Sequence, residues 1–341
     1  MELSGYKFDI EKAISAIKKN RYKTVALQIP EGLKRSVFAI VDYLEKETIA
    51  TFIISADTCF GACDVANHEL KNSGVDFVVH IGHTPIPNIK NFWIPTMFLN
   101  AKSDLDVSKV VEKAIPLLKG KKIGLVSTAQ HVHTLDIAEK ILIKNNFKPI
   151  IGKGDKRIAL KGQILGCNFS AATSIASKVD SFLFIGSGNF HPLGLLLATK
   201  KPVVAVDPYI NIVKERELKE LKDKILRQRY GAIARSKDAK TFGILIGIKR
   251  GQQRMKLTHK IKKMLDSKQK KSYFIALNNF SPSELQGFKD IDCFVSTACP
   301  RIAIDDYMRY KVPIITPVEL EILLGEKNWD DYQFDQILSD G

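Results

Sequence analysis

The chain has 341 residues, 45% of them hydrophobic, which is enough for a sizeable core spread over two or three domains. Apolar runs such as 193–198 are far too short to cross a bilayer, and residues 1–18 mix charges without an apolar stretch, so no membrane span or signal peptide is read and a cytoplasmic protein is expected. Five cysteines in a chain of this length do not read as a disulfide framework, and the net charge of +15 points to acidic partners rather than to any fold.

The elements alternate. Ile10, Ala13, Ile14 and Ile17 share one face of a helix over 9–20, and a strand over 24–29 ends at Pro30-Glu31-Gly32. A helix over 35–47 leads to a strand over 51–55 and then to the loop carrying Cys59 and Cys63; strands 75–81 and 94–99 follow. After Ser103 come a helix over 107–115, a strand over 122–127 and a helix over 135–145. From 149 the chain enters a loop rich in glycine and charge, in which Lys153 and Arg157 read as solvated flanks. Cys167 precedes strands 181–186 and 203–206, and 212–235 reads as one long basic helix. Strand 241–247, helix 253–266 and strands 273–277, 291–297 and 313–316 complete the chain. Strands alternating with helices predict an α/β protein with parallel sheets.

The pattern repeats three times. Val75-Asp76, Val179-Asp180 and Ile291-Asp292 each open an apolar strand, 104 and 112 residues apart, and each is followed by a strand opening on proline at Pro95, Pro202 or Pro313. Two markers in step predict three similar parallel-sheet domains, over 1–103, 104–236 and 237–341, arranged around a pseudo-threefold axis. Loops from all three then meet at the centre.

Charge is uneven. Residues 211–240 hold ten Lys/Arg against five Asp/Glu, and residues 249–271 hold ten against one acid, Asp266. These are either solvated helix faces or a docking surface for an acidic or nucleic-acid-associated partner. Aromatics are sparse there, which argues against a base-stacking platform.

One cysteine from each unit could serve a shared centre. Soft sulfide-bridged iron takes soft thiolate donors, and three thiolates on a four-iron cubane leave one iron open. Cys293 lies inside an apolar strand and reads as packing. Either Cys59 or Cys63 could ligate; Gly61 and Ala62 beside Cys63, and Gly166 beside Cys167, allow close backbone approach, and Cys299 is stiffened by Pro300. The candidate ligands are Cys63, Cys167 and Cys299. Zinc is the competing metal, but the paired C-x2-C knuckles of structural zinc are missing. Further candidates are Gly186, Ser187 and Gly188, a glycine-rich turn after a strand; Arg301, able to hold a carboxylate by a bidentate pair; and His191, Gln130, His131 and His133 at strand ends.

Phe60-Gly61-Ala62-Cys63-Asp64, Gly162-Gln163-Ile164-Leu165-Gly166-Cys167-Asn168 and Thr297-Ala298-Cys299-Pro300-Arg301 resemble the archaeal diphthamide synthase family, as do Thr128-Ala129-Gln130-His131 and the glycine-rich stretch 186–194. The resemblance runs through essentially the whole chain, with Cys59 and Cys293 as extra thiols. It implies a homodimer of three-domain subunits and a 4Fe-4S cluster held by one cysteine per domain. It also implies transfer of the 3-amino-3-carboxypropyl group of S-adenosylmethionine to a histidine of translation elongation factor 2. Methylthioadenosine is released, an external electron donor is needed, and neither a membrane nor direct nucleic-acid binding is required. In this reading Gly186, Ser187, Gly188 and Arg301 hold S-adenosylmethionine, and His191, Gln130 and His131 are the catalytic candidates. Two alternatives stand beside it. One is a quinolinate synthase-like iron–sulfur enzyme, whose open iron takes a small acid. The other is a non-catalytic basic protein bound to ribosomes or RNA, with structural cysteines.

Overall fold

The computed structural model describes residues 1–3 and 5–339. Its apolar, β-branched runs form three sheets of parallel strands. The first sheet has the spatial order Thr51–Ser55, Thr24–Gln28, Phe77–Ile81, Thr96–Leu99. The second runs Lys148–Ile150, Lys122–Ser127, Ser181–Ile185, Val203–Asp207 and adds Ile212–Lys214 as an antiparallel edge. The third runs Lys271–Leu277, Thr241–Gly247, Cys293–Ser296, Ile314–Ile315. In all three the second strand in sequence flanks the first, and the third and fourth lie on its other side. Phe77–Ile81, Ser181–Ile185 and Val203–Asp207 are buried at every position, as strands covered on both faces must be. No helix among the described residues is long and apolar enough to cross a membrane.

Each of the two repeated markers has its own physical cause, and that cause recurs in all three sheets. Asp76 accepts from the backbone N–H groups of Lys23 and Thr24, Asp180 from those of Lys121 and Lys122, and Asp292 from those of Lys240 and Thr241. Each carboxylate thus pins the start of the neighbouring first strand. The carbonyls of Pro95, Pro202 and Pro313 in turn accept from Val78, Phe182 and Phe294, at 2.9, 2.9 and 2.8 Å. Proline has no N–H to donate, so it suits a strand's first residue, where only its carbonyl is needed.

Backbone N–H bonds to their charged forms hold the carboxyls of Asp180 and Asp292 below the usual carboxylate range. A depressed folded value stabilises the fold above the unfolded-chain value of about 3.9, and that contribution is lost as pH falls through the folded value. Asp180→Asn with Asp292→Asn should therefore lower the melting temperature at neutral pH. The gap from the parent chain should close as pH falls through the depressed folded values of the two carboxyls, and a gap that widens on acidification would contradict the assignment.

Several elements differ from the sequence reading. The helix expected over 212–235 begins only at Arg216. Ile212–Lys214 instead extends the second sheet, because Ile212 and Val213 suit an edge strand and Asn211 (φ 54°) turns the chain back. The loop expected from 149 starts as the short strand Lys148–Ile150. The helix Phe190–Thr199 was hidden by Pro192 and Gly194, both poor helix formers. Pro192 sits in the first turn, where its missing N–H costs little, and a Cβ on Gly194 would stand 2.3 Å from the Phe169 ring. Residues at the amino end, unassigned from sequence, pair as Glu2–Leu3 and Tyr6–Phe8, and the latter pairs with Ala101–Ser103.

The helix Arg216–Arg235 joins two cores: Leu218 packs under the second sheet and Ala232 under the third. Arg229 of this helix is fully buried. It forms a bidentate pair with Glu319, at 2.8 and 2.6 Å, and donates to the carbonyls of Ala303 and Ile314.

Candidate metal centre

The site is built from loops beyond the carboxyl ends of strands, where the backbone leaves the ladder and side chains are free to converge. In the first unit, strand Thr51–Ser55 runs into the turn that carries Cys63. Gln28, the last residue of strand Thr24–Gln28, holds this turn through Nε2 to the Asp64 carbonyl (2.8 Å) and through Oε1, which accepts from Ala66 N–H at 3.0 Å. Asp64 is buried and paired with buried Lys249 at 2.7 Å.

Gly251 lies so close to this turn that a Cβ there would stand 2.3 Å from the Cys63 Cα. Its neighbour Gln252 approaches the Cys63 sulfur with Nε2, at 3.7 Å. Arg157 of the second unit donates to the Gly251 carbonyl at 2.8 Å, which brings a third segment to the same place.

Cys167 sits in a loop tied to the end of strand Lys122–Ser127, since Ile164 N–H donates to Ser127 and Ser127 N–H to Gly162, both at 2.9 Å. The chain's carboxyl-terminal segment closes over it. Ile337 N–H donates to the Cys167 carbonyl at 2.8 Å, and Gln336 Oε1 accepts from Phe169 N–H.

Cys299 follows strand Cys293–Ser296 and caps the short helix Pro300–Ile304. Arg254 fixes the approach to it. Its guanidinium donates to the carbonyls of Thr297 (2.7 Å) and Ala298 (3.1 Å), pairs with Asp335 at 2.8 and 2.6 Å, and reaches the Gln336 carbonyl. One buried cation thus links the loop before Cys299 to the segment that covers Cys167.

The three thiols lie within electrostatic range of one another. Burial pushes Cys167 up to about 12, and the charge of Cys63 adds to it. Burial also raises Cys63 and Cys299, and Cys299 is raised further by both Cys167 and Cys63. Arg157 opposes the rise at Cys63 and Cys167, and Arg254 does so at Cys167. Left alone, these thiols stay protonated at neutral pH. A bound cation that takes up their charge is what makes thiolates of them.

The donor set fits a cluster better than a single ion. The three sulfurs do not gather within the 4.8 Å span of a one-ion site among the described residues, yet they share a charged neighbourhood, as the ligands of a cubane do. The Arg301 backbone N–H also supports the Cys299 thiolate form. Cys293 is fully buried in the third core, as expected of a packing residue. Cys59 is buried within electrostatic range of Cys63 and stands in a group with His80 and His83.

The other candidates divide. His191 stacks on Phe184 with centroids 6.2 Å apart and meets Phe190 edge-on. Burial and the charge of Arg301 push it down to about 4, so the ring is neutral at physiological pH. Arg301 lies 3.3 Å above the Phe190 ring and bonds Asp305 at 2.5 Å, so His191 and Arg301 are brought together beside Cys299. Ser187 and Gly188 are exposed, and Gly186 and Gly188 need their positive φ of 153° and 77°. Gln130 instead donates to the Gly82 carbonyl at 2.7 Å, and so ties the second unit to the first. His131 is buried edge-on against Tyr209 and held down to about 4, chiefly by desolvation. His133 meets the Ser103 carbonyl at 2.9 Å.

Sequence reasoning missed Arg157, Gly251, Gln252, Arg254 and the segment 335–337. Lys153 is exposed as read, but Arg157 is only 6% exposed. Arg229, Lys249 and Arg254, counted toward basic surfaces, are all buried in ion pairs. No short motif marks such residues, because their partners lie far away in sequence.

Residues 29–333 match the family described as diphthamide synthesis protein. The 2-(3-amino-3-carboxypropyl)histidine synthase of Pyrococcus horikoshii is 37% identical over 95% of this chain and 92% of its own length. The protein of the same name from Methanocaldococcus jannaschii is 32% identical over 96% of this chain and 92% of its own. Among solved structures, the crystal structure of Dph2 from Pyrococcus horikoshii with a 4Fe-4S cluster superposes with a TM-score of 0.88 at 36% identity. It covers 97% of this chain and 94% of that one.

Proposed function

Since the chain belongs to the diphthamide synthesis family, we propose that it transfers the 3-amino-3-carboxypropyl group of S-adenosylmethionine to one histidine of translation elongation factor 2, releasing methylthioadenosine. The observation that carries this reading is the approach of three thiols, buried Cys167 and half-buried Cys63 and Cys299, one from each of the units 1–103, 104–236 and 237–341, close enough that Cys63 acts on Cys167 and both act on Cys299. In this account the units surround a pseudo-threefold axis, the active form is a homodimer, and an external donor supplies electrons.

Cys63, Cys167 and Cys299 would hold a 4Fe-4S cluster through three of its irons. Such a cluster would supply one-electron reducing chemistry toward the sulfonium of S-adenosylmethionine, whose bond to the methionine γ-carbon is the one this reading has broken. The protein's own task is aim, because the choice of bond depends on which carbon is held in line. Gly186, Ser187 and Gly188 offer backbone without bulk. Arg301, stacked on Phe190, can exchange its single Nε bond to Asp305 for a bidentate pair with the methionine carboxylate. His191, held neutral by burial and by the Arg301 charge, presents an uncharged ring beside that cation. Gln130 serves in positioning, through Gly82.

Methylthioadenosine formation separates this reading from the alternatives. Iron-loaded protein incubated anaerobically with S-adenosylmethionine and reductant should release it without any dihydroxyacetone phosphate. A product that forms only when dihydroxyacetone phosphate is supplied would favour the quinolinate synthase-like enzyme. A colourless, iron-free protein from anaerobic purification would favour the binding protein.

A further inference from the structure

A second group of metal donors stands in the first unit, outside the trio of thiols. Cys59, His80 and His83 each offer one ligand atom, and these atoms all lie within 4.8 Å of one another. Cys59 is 4% exposed and His80 is fully buried.

The hydrogen bonds around the group fix how it is presented. Both ends of the Gln28 amide are assigned by backbone groups: Nε2 donates to the Asp64 carbonyl, and Oε1 accepts from Ala66 N–H. Gln28 Oε1 also lies 2.8 Å from His80 Nδ1, so Nδ1 must carry the proton there. The lone pair of His80 then sits on Nε2, which faces His83 Nδ1 at 3.0 Å. A metal-bound imidazole whose other nitrogen donates to an oxygen acceptor has this same arrangement.

The spacing suits one tetrahedral ion. Two imidazole nitrogens, each about 2.0–2.1 Å from zinc, stand roughly 3.3 Å apart, a few tenths of an ångström from the separation found. His83 reaches His80 only because Gly82 (φ 93°) turns the chain between them; a Cβ at Gly82 would also stand 2.9 Å from the Pro30 ring. The Cys59 sulfur is supported by the Gly61 backbone N–H, and Phe98 packs on the His80 ring at 4.9 Å, giving the group a dry wall.

We propose that Cys59, His80 and His83 form a second metal site for a zinc-class divalent cation, with solvent in the fourth position. One thiolate and two imidazoles are the donors zinc takes. The site does not use Cys63, Cys167 or Cys299, so it stands or falls separately from the cluster. Cys59 lies four residues before Cys63, and His80 and His83 lie at the end of strand Phe77–Ile81. An ion here staples the loop bearing Cys63 to the first sheet.

The test is anaerobic titration of the full chain with cobalt(II). The chain carries Cys167→Ser and Cys299→Ser, so that the trio cannot form its own tetrahedral site. One equivalent of cobalt should bind with intense visible bands and a thiolate charge-transfer band, and zinc should displace it. Adding Cys59→Ser should remove the charge-transfer band, and His83→Ala should weaken binding by roughly tenfold or more. A second measurement covers the case in which that background fails to fold. Cluster-loaded wild-type chain given zinc should retain one equivalent and melt higher. The Cys59→Ser chain should keep its iron and lose both effects. Cobalt bound without a thiolate band, a band that survives Cys59→Ser, or wild-type chain that retains no zinc would each overturn the proposal.

Discussion

Replacing Cys167 with alanine should abolish the brown absorbance of the cluster and methylthioadenosine release together. Among the three thiols Cys167 is the buried one: Ile337 covers its carbonyl and Gly166 is pressed against the Phe190 ring. Those contacts use the main chain and survive the substitution, so the far-ultraviolet circular dichroism should be unchanged. What is lost is one of three sulfurs, and a cubane held by two has no firm seat in the protein. The expected fall in release is at least about 100-fold, beyond the 10–100-fold typical of outer-shell partners of a metal site. Cys293→Ala is the matched control. It removes an equally buried thiol from the third core and should keep both colour and turnover. Full turnover in the Cys167→Ala chain would remove Cys167 from the ligand set.

Arg229→Ala should destabilise the fold by about 3–5 kcal/mol, the cost of leaving a buried partner charge uncompensated. Desolvation alone would lower the Arg229 pKa, but the charge and hydrogen bonds of Glu319 outweigh it and hold the group above its ordinary value. Truncation leaves Glu319 with no cation and deprives the carbonyls of Ala303 and Ile314 of their donor. Replacing both partners by apolar residues, Arg229→Met with Glu319→Leu, should recover much of the loss. Recovery should be incomplete, because Glu319 also accepts from Thr316 N–H and from the Tyr332 hydroxyl. Denaturant midpoints of the single and double variants measure this. A single variant as stable as the parent would show that the pair contributes little.

The repeat was legible in sequence because its markers do local work that recurs. Each aspartate must stand where it can cap a neighbouring strand, and each proline where only a carbonyl is needed, so the letters return in step. The strand at 51–55 and the one at 122–127 were read to the residue, since short apolar runs between turn signals leave little freedom. The helix Phe190–Thr199 was not read, because tertiary contacts make room for its proline and glycine. Of the candidate site, the cysteines and their glycines could be picked out, because a thiol beside a small residue in a loop is visible locally. Arg157 and Arg254 could not: in one dimension a buried arginine looks like any surface cation. The same blindness inflated the basic surface read over 211–240 and 249–271, where Arg229, Lys249 and Arg254 are spent on internal pairs. The His80–His83 contact was overlooked for a similar reason, since neither residue is distinctive until Gly82 folds the turn.

The central claim is tested most directly by anaerobic incubation of the iron-loaded protein with S-adenosylmethionine, reductant and elongation factor 2, followed by mass analysis of the factor. The account predicts one added 3-amino-3-carboxypropyl group on a single histidine, with methylthioadenosine formed in equal amount. Unmodified factor from a fully loaded, reduced protein would contradict it.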